Sequence, residues 1–416
     1  MGRTLIEKIL VRNSGDEKAK TGDIVIAKPD MYMFHDIYTT ATIQKFYEMG
    51  FTKVHDPSRV ALILDHNCPT ISEADGITES DAFRFAKEQG IEKIHLGIGI
   101  GHTMMHELGY ADPGWVVIVT DSHTTTYGGG ACLGSGVGYS DFAGLMGTGE
   151  LWMKIPPTIK VVMEGEWPKG VYAKDFILQL LSDIKADGAQ YKSLEFTGEA
   201  ARALDMDSRY TIANMALECG AKAGLFEADE KTAAYFNKPL EEIEWLHGDA
   251  DAEYEQVLHY DVSKLVPMLA APGAVDNGRP LTEWEGTKLT QVVIGSCTNS
   301  ALEDIATAAK ILKGKHVPPY LRFYVSTASN IVNKQCIERG YFKDLMEAGA
   351  VIGAPSCQSC CGFIARLGDD DVCLGTNNRN FLGRHGTKNS KMFLGSAESA
   401  AASALCGCIT DPRKFL

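Results

Sequence analysis

Short apolar runs rich in β-branched residues recur along the chain, each stopped by Gly, Pro or a polar cluster. They lie at residues 24–30, 60–64, 115–120, 159–164, 291–294, 322–325 and 350–353. Runs of this length and makeup read as buried strands. Between them, longer stretches with helical spacing predict helices over 4–11, 42–49, 79–89, 173–186, 210–219, 301–312, 330–339 and 341–347, and an Ala-rich helix in the tail. Ser300 is placed to cap the helix expected from residue 301. Strands alternating with helices point to an α/β fold. The Pro156-Pro157 pair and the Pro/Gly/Asp run at 271–278 punctuate the pattern. They divide the chain into three α/β domains, 1–156, 157–280 and 281–416. A chain of 416 residues at about 150 per domain agrees with that number.

Chemistry-bearing residues gather where the strands end. Asp65-His66-Asn67 follows the 60–64 run, and Asp121-Ser122-His123-Thr124 follows the 115–120 run. In open α/β sheets, ligands sit beyond the carboxyl ends of strands. An adjacent Asp and His point to opposite faces of a strand, but at its end the chain can turn and let both line a cleft. His102 closes a G-x-G-x-G stretch that lacks the third glycine position of a dinucleotide fingerprint. These glycines are expected instead to let the backbone pass close to another element. His35 reads as a histidine in a surface turn. Residues 210–219 read as one helix, so Asn214 and Glu218 share a face, and a buried Glu218 needs a partner.

Acidic residues outnumber basic ones, 54 to 40, for a net charge of −14. That balance argues against nucleic acid and anionic membrane as standing partners. No apolar run is long enough to span a bilayer. Residues 1–6 have no apolar signal core, so the chain is expected to be cytoplasmic. Its eleven cysteines are then reduced thiols or metal ligands. Three stand out. Cys297 follows the 291–294 run, and Cys357 and Cys360 form a C-x-x-C after the 350–353 run. A redox dithiol leaves Cys297 unexplained. Structural zinc wants four ligands, and Cys361, adjacent to Cys360, is poorly placed to be the fourth. An iron–sulfur cubane takes thiolates, and with three of them one iron keeps an open position.

Four motifs in this order resemble the aconitase superfamily, and within it the large-subunit family of 3-isopropylmalate dehydratases. They are Thr120-Asp121-Ser122-His123-Thr124, Gly295-Ser296-Cys297-Thr298-Asn299, the C-x-x-C-x-Gly at 357–362, and Asn378-Arg379-Asn380-Phe381 followed by Arg384. The resemblance spans nearly the whole chain. It implies three α/β domains around a central cluster cleft, without the swivelling fourth domain of one-chain relatives. It implies a 4Fe–4S cluster on Cys297, Cys357 and Cys360, with one iron not ligated by cysteine. Asp65 and His66 would protonate the departing hydroxyl, and His102 with Asp121 and His123 with Glu218 would form further pairs. His35, Ser122, Asn214 and Asn378 would line the substrate pocket, with Arg379 and Arg384 on substrate carboxylates. The pattern departs at Gln358-Ser359, where the family often has Gly and a small residue or Pro, and at Cys361, which replaces an aliphatic residue.

The implied activity is dehydration and rehydration of a hydroxy di- or tricarboxylate, with 3-isopropylmalate, in leucine biosynthesis, as the expected substrate. Homoaconitate, 2,3-dimethylmalate and aconitase-type hydration are the alternatives in the same class, and a cluster-bearing RNA-binding or sensor protein the alternative outside it. Since the sequence stops at Leu416, a separate small subunit carrying the swivelling domain is the expected partner.

Overall fold

Val60–Leu64 is a strand with all five side chains buried. In the computed structural model, which describes residues 2–416, it lies second in a five-stranded sheet. The order is Lys93–Leu96, Val60–Leu64, Met31–His35, Val116–Val119, Leu133–Gly136, and every pairing is parallel. A parallel sheet is covered on both faces, so its strands carry unbroken apolar runs instead of alternation. Tyr32 and Phe34 point to a face where Phe34 meets Phe85 edge-on at 6.3 Å and Phe142 at 5.4 Å. These rings come from the helices Glu73–Gln89 and Tyr139–Thr148.

Three strands of this sheet, Lys93–Leu96 among them, escape the sequence pattern. The central strand Met31–His35 has no β-branched residue, and Leu133–Gly136 is half glycine. His35 is therefore not in a surface turn: it is the buried last residue of the middle strand. The next helix, Asp36–Glu48, starts directly after it, six residues before the expected start at 42.

The chain divides into two compact units, both discontinuous in sequence. The first holds residues 2–97, 104–164 and 189–260. Besides the sheet above, it contains an antiparallel ribbon, Ile24–Ala27 with Leu151–Lys154. It also contains a sheet ordered Ala223–Phe226, Ser193–Thr197, Thr158–Glu164, Gln256–Asp261. The second unit holds 98–103, 165–188 and 261–416. These units cut across the boundaries expected at 156/157 and 280/281. Pro156-Pro157 links two strands of one unit, and helix Ala173–Ile184 belongs to the other.

The second unit is built on a seven-stranded sheet. Its order is Gly278–Pro280, Met268–Ala270, Lys391–Leu394, Val372–Gly375, Gln291–Ile294, Arg322–Val325, Val351–Ile352. Met268–Ala270 pairs antiparallel with both of its neighbours, and the strands from Lys391–Leu394 onward pair in parallel. The 271–278 run is thus not an interdomain linker but the turn between two paired strands. One side of the sheet is covered by Leu302–Leu312 and Ala397–Cys406, whose Ala308, Ala309, Ala400, Ala401 and Ala404 are buried in one cluster. Small residues let the two helices approach closely. Ser300 does not cap Leu302–Leu312. Its hydroxyl donates to the Ser296 carbonyl at 2.6 Å, and Asp304 accepts from the Ala301 N–H at 3.0 Å instead. No helix among the described residues is long and apolar enough to cross a membrane.

Candidate functional site

In the first unit, the carboxyl ends of Met31–His35, Val60–Leu64 and Val116–Val119 bring His35, Asp36, Asp65, His66 and Asp121 to one sheet edge. The chain turns after Leu64, so Asp65 and His66 do meet: His66 Nδ1 lies 2.8 Å from Asp65 Oδ1. Asp36 Oδ1 is 3.3 Å from the same nitrogen. Both groups facing Nδ1 are carboxylates, so Nδ1 carries the proton. The other ring nitrogen, Nε2, is 3.9 Å from Asp121 Oδ2. Asp36 also accepts the backbone N–H groups of His66 at 3.0 Å and Asn67 at 2.6 Å, which fixes the turn. Burial works against the Asp36 charge, but its hydrogen bond to His66 and the other contacts outweigh it, and its pKa lies below the ordinary value.

His35 stacks on His66 with ring centroids 4.4 Å apart. Both of its nitrogens are buried without a hydrogen bond. The nearest acceptors are Asp36 at 3.9 Å and Asp121 at 3.8 Å. Burial first, and the facing His66 second, push this imidazole down to about 4. It is neutral at pH 7, with donor and acceptor capacity unspent.

Asp121 caps the turn that follows its strand by accepting the His123 N–H at 2.7 Å. Glu218 has its partner: its Oε1 lies 2.8 Å from His123 Nε2, and both residues are buried. Asn214 and Glu218 do not share one α-helix, however. The helix Met206–Met215 ends, and a 3-10 turn, Ala216–Cys219, carries Glu218. Three threonines lock this region. Thr125 Oγ1 donates to the Asn214 carbonyl at 3.0 Å, and Asn214 Nδ2 donates to Thr126 Oγ1 at 2.8 Å. Thr126 Oγ1 in turn donates to the His123 carbonyl at 2.6 Å, and Thr124 Oγ1 to that of Asp121. A Cβ on Gly128 would sit 1.8 Å from the Gly224 carbonyl oxygen, so this turn packs only as glycine. Ser122 is exposed at the start of the turn.

In the second unit, Cys297, Cys357 and Asn378 follow the carboxyl ends of Gln291–Ile294, Val351–Ile352 and Val372–Gly375, all parallel in one sheet. Cys360 Sγ donates to Asn378 Oδ1 at 2.7 Å, and Asn378 Nδ2 donates to Cys297 Sγ at 3.2 Å. Hydrogen bonds with the Cys360 and Cys361 thiols, followed by burial, push the Cys357 thiol well above its ordinary pKa. All eleven cysteines are free of disulfides. Arg384 Nε donates to the Cys360 carbonyl at 3.0 Å, and Nη2 lies 3.8 Å from Cys360 Sγ. Gly362, at φ +67°, makes this approach possible, because a Cβ there would lie 2.3 Å from the Arg384 carbonyl oxygen. Arg379 is half-buried, and its carbonyl accepts from His385 Nε2 at 2.9 Å. His102 is buried near the start of Gly101–Glu107, on the 98–103 segment of this unit, whereas Asp121 lies in the other. The glycines before it do run beside other chain: Gly99 bridges to Ser329, and a Cβ on Gly97 would meet Cys68 Sγ at 2.7 Å.

The sequence reading missed Asp36, Lys174, Thr125 and Thr126. Asp36 stands beside His35 and could have been found by treating residues 31–35 as a strand. Lys174 gives no sign of its role, because a lysine early in a helix ordinarily faces solvent.

Comparison with known proteins adds to this geometry. The model of the aconitase family (aconitate hydratase) matches residues 7–407. A 3-isopropylmalate dehydratase large subunit 1 from Methanopyrus kandleri is 42% identical over 419 residues, covering all of both chains. The 3-isopropylmalate dehydratase large subunit of a Nitratiruptor species is likewise 42% identical, over 422 residues and all of both chains. Large subunit 2 from Archaeoglobus fulgidus gives 42% over 419 residues with the same coverage. Among solved structures, the holo-form of Thermococcus kodakaraensis aconitase X superposes with a TM-score of 0.53 at 11% identity. It covers 90% of this chain and 89% of that one, a likeness of fold.

Proposed function

This chain belongs to the aconitase family, and from that premise we propose that it is the large, catalytic subunit of a hydro-lyase interconverting 2- and 3-isopropylmalate. Water is eliminated and added back in the other orientation, a step of leucine biosynthesis. The full-length relatives named 3-isopropylmalate dehydratase large subunit support the substrate. Their designation as large subunits also supports a separate small subunit carrying the swivelling domain. We place the enzyme in the cytoplasm.

The observation that carries this reading is the set of thiols in the second unit. The Cys360 and Cys361 thiols help hold the proton on Cys357, and Cys297 is tied to Cys360 through Asn378. Soft, mutually crowding donors, with Cys357 and Cys360 buried, fit a metal cluster that takes them as thiolates. The family implies a 4Fe–4S cluster, and Cys297, Cys357 and Cys360 would hold it, leaving one iron without cysteine. Such a group, when bound, supplies a Lewis acid that helps hydroxide, a poor leaving group, to depart.

The remaining roles fall to side chains of this chain. His66, its Nδ1–H held by Asp65 and Asp36, presents Nε2 to carry the proton for the departing hydroxyl. Glu218 fixes the His123 ring from its Nε2 side, and His102 and Asp121 supply further acid–base groups. His35, Ser122, Asn214 and Asn378 contact the substrate. Arg379 and Arg384 take its carboxylates, which suits a planar fork of donors.

The test is anaerobic reconstitution with iron and sulfide, coexpression with the small subunit, and a screen of substituted malates by the ultraviolet absorbance of the unsaturated product. Turnover of isopropylmalate above the other hydroxyacids is expected. A reconstituted two-subunit enzyme that turns over none of them would refute the assignment.

A further inference from the structure

Lys174 is fully buried on the first turn of Ala173–Ile184. An ammonium has three N–H donors and no acceptor, and here all three have a target. Nζ donates to the Asn377 carbonyl at 2.9 Å, to the Thr376 carbonyl at 3.1 Å and to Thr298 Oγ1 at 3.3 Å. Thr298 follows Cys297, and Asn377 precedes Asn378. One charge therefore ties together two loops that leave the sheet on different strands. The next residue, Asp175, spends its hydrogen bonds elsewhere. Its carboxylate holds the helix start by accepting Tyr172 N–H at 2.9 Å and Met268 N–H at 2.8 Å.

The loops need such a tie. Ser296, immediately before Cys297, has φ +75°, a conformation that side-chain-bearing residues rarely adopt and that persists only where the surroundings impose it. Thr298 Oγ1 donates to the Thr376 carbonyl at 2.7 Å, and Thr376 Oγ1 accepts the Gly295 N–H at 2.9 Å. Lys174 closes this lattice from beneath. With every donor engaged and the side chain fully buried, the amine is not built for proton transfer.

We infer that Lys174 is a positioning residue: its ammonium clamps the Cys297 loop to the Asn377–Asn378 loop and so sets the Cys297 thiol against Asn378. The inference rests on the cluster reading above. Losing a partner that orients a metal ligand typically costs roughly 10- to 100-fold in metal affinity.

The experiment follows reconstituted full-length chains after a chelator is added, reading the decay of cluster absorbance. Lys174→Met removes the charge, and Thr298→Val cuts the Cys297 side of the clamp together with Thr298's own bond to the Thr376 carbonyl, leaving Lys174 its two carbonyls. Leu180→Ala, on the same helix and equally buried, is the control for loss of packing alone. Cluster decay at least about 10-fold faster in Lys174→Met, and faster in Thr298→Val than in Leu180→Ala, is the expected result. Should Lys174→Met fail to fold, Thr298→Val against Leu180→Ala decides. Decay in the clamp variants no faster than in wild type or in Leu180→Ala overturns the inference while leaving the cluster assignment intact. A wild-type chain that takes up no iron overturns both.

Discussion

Cys360 and Asn378 are joined side chain to side chain, Sγ to Oδ1 at 2.7 Å, and the other end of the same amide reaches Cys297 Sγ at 3.2 Å. One buried amide thus spans two thiols that arrive on different loops. It donates to one sulfur and accepts from the other.

Asn378→Ala should loosen this arrangement without removing a thiol. Iron uptake is expected to fall by roughly 10-fold in apparent affinity, the usual cost of losing a ligand's orienting partner. Iron-to-protein ratio under chelator competition measures it. Uptake equal to wild type would mean that the amide plays no part in holding the sulfurs.

Cys357 and Cys361 should behave differently, although both lie in the same tight turn, where the Cys361 N–H meets the Cys357 carbonyl at 3.3 Å. Cys357→Ser is expected to abolish the brown absorbance of the anaerobically reconstituted chain, and Cys361→Ser to leave its iron content unchanged. The reverse pattern would put Cys361 in place of Cys357 in the ligand set and break the C-x-x-C assignment.

The strand ends could be read in the sequence because parallel strands advertise themselves as unbroken apolar runs. Val60–Leu64, Gln291–Ile294 and Arg322–Val325 emerge with the expected bounds. Met31–His35 did not, because its burial comes from neighbours on both sides and not from its own β propensity. That omission turned His35 from a core residue into an apparent surface one. Asp65-His66 was visible as a pair, but Asp36, which shares the same imidazole proton, comes from another strand end, and no local pattern joins them. Lys174 was invisible for the same reason, since its three acceptors lie more than a hundred residues away.

His35 gives the first unit a pH dependence. Its folded pKa, about 4, lies below the ordinary 6.5. Between those values the unfolded chain binds a proton that the folded chain refuses. Its contribution to stability is therefore whole above about pH 6.5 and drains away as pH falls toward about 4. His35→Gln, which cannot titrate, should lose less melting temperature than wild type between about pH 7 and about pH 5. The difference should be roughly 2 °C or more. Parallel melting curves at the two values decide it, and identical losses would show that His35 is not held neutral.

Arg384 carries the prediction closest to the substrate. Its Nε–H is spent on the Cys360 carbonyl, which turns the Nη2 edge of the guanidinium toward the Cys360 thiol. Burial opposes its charge, but the thiols of Cys360 and Cys361 favour it and its pKa is raised, so it is a fixed cation at any working pH. A lysine in its place would supply a single point charge with no planar edge. Arg384→Lys is therefore expected to raise KM. Losing a hydrogen bond to a charged group costs about 1.5–3 kcal/mol, roughly 10- to 100-fold. The cluster absorbance should persist, because the thiols are untouched. A steady-state titration of isopropylmalate on the reconstituted two-subunit enzyme reads both. An unaltered KM with normal absorbance would remove Arg384 from carboxylate binding and leave it as a brace for the Cys360 turn.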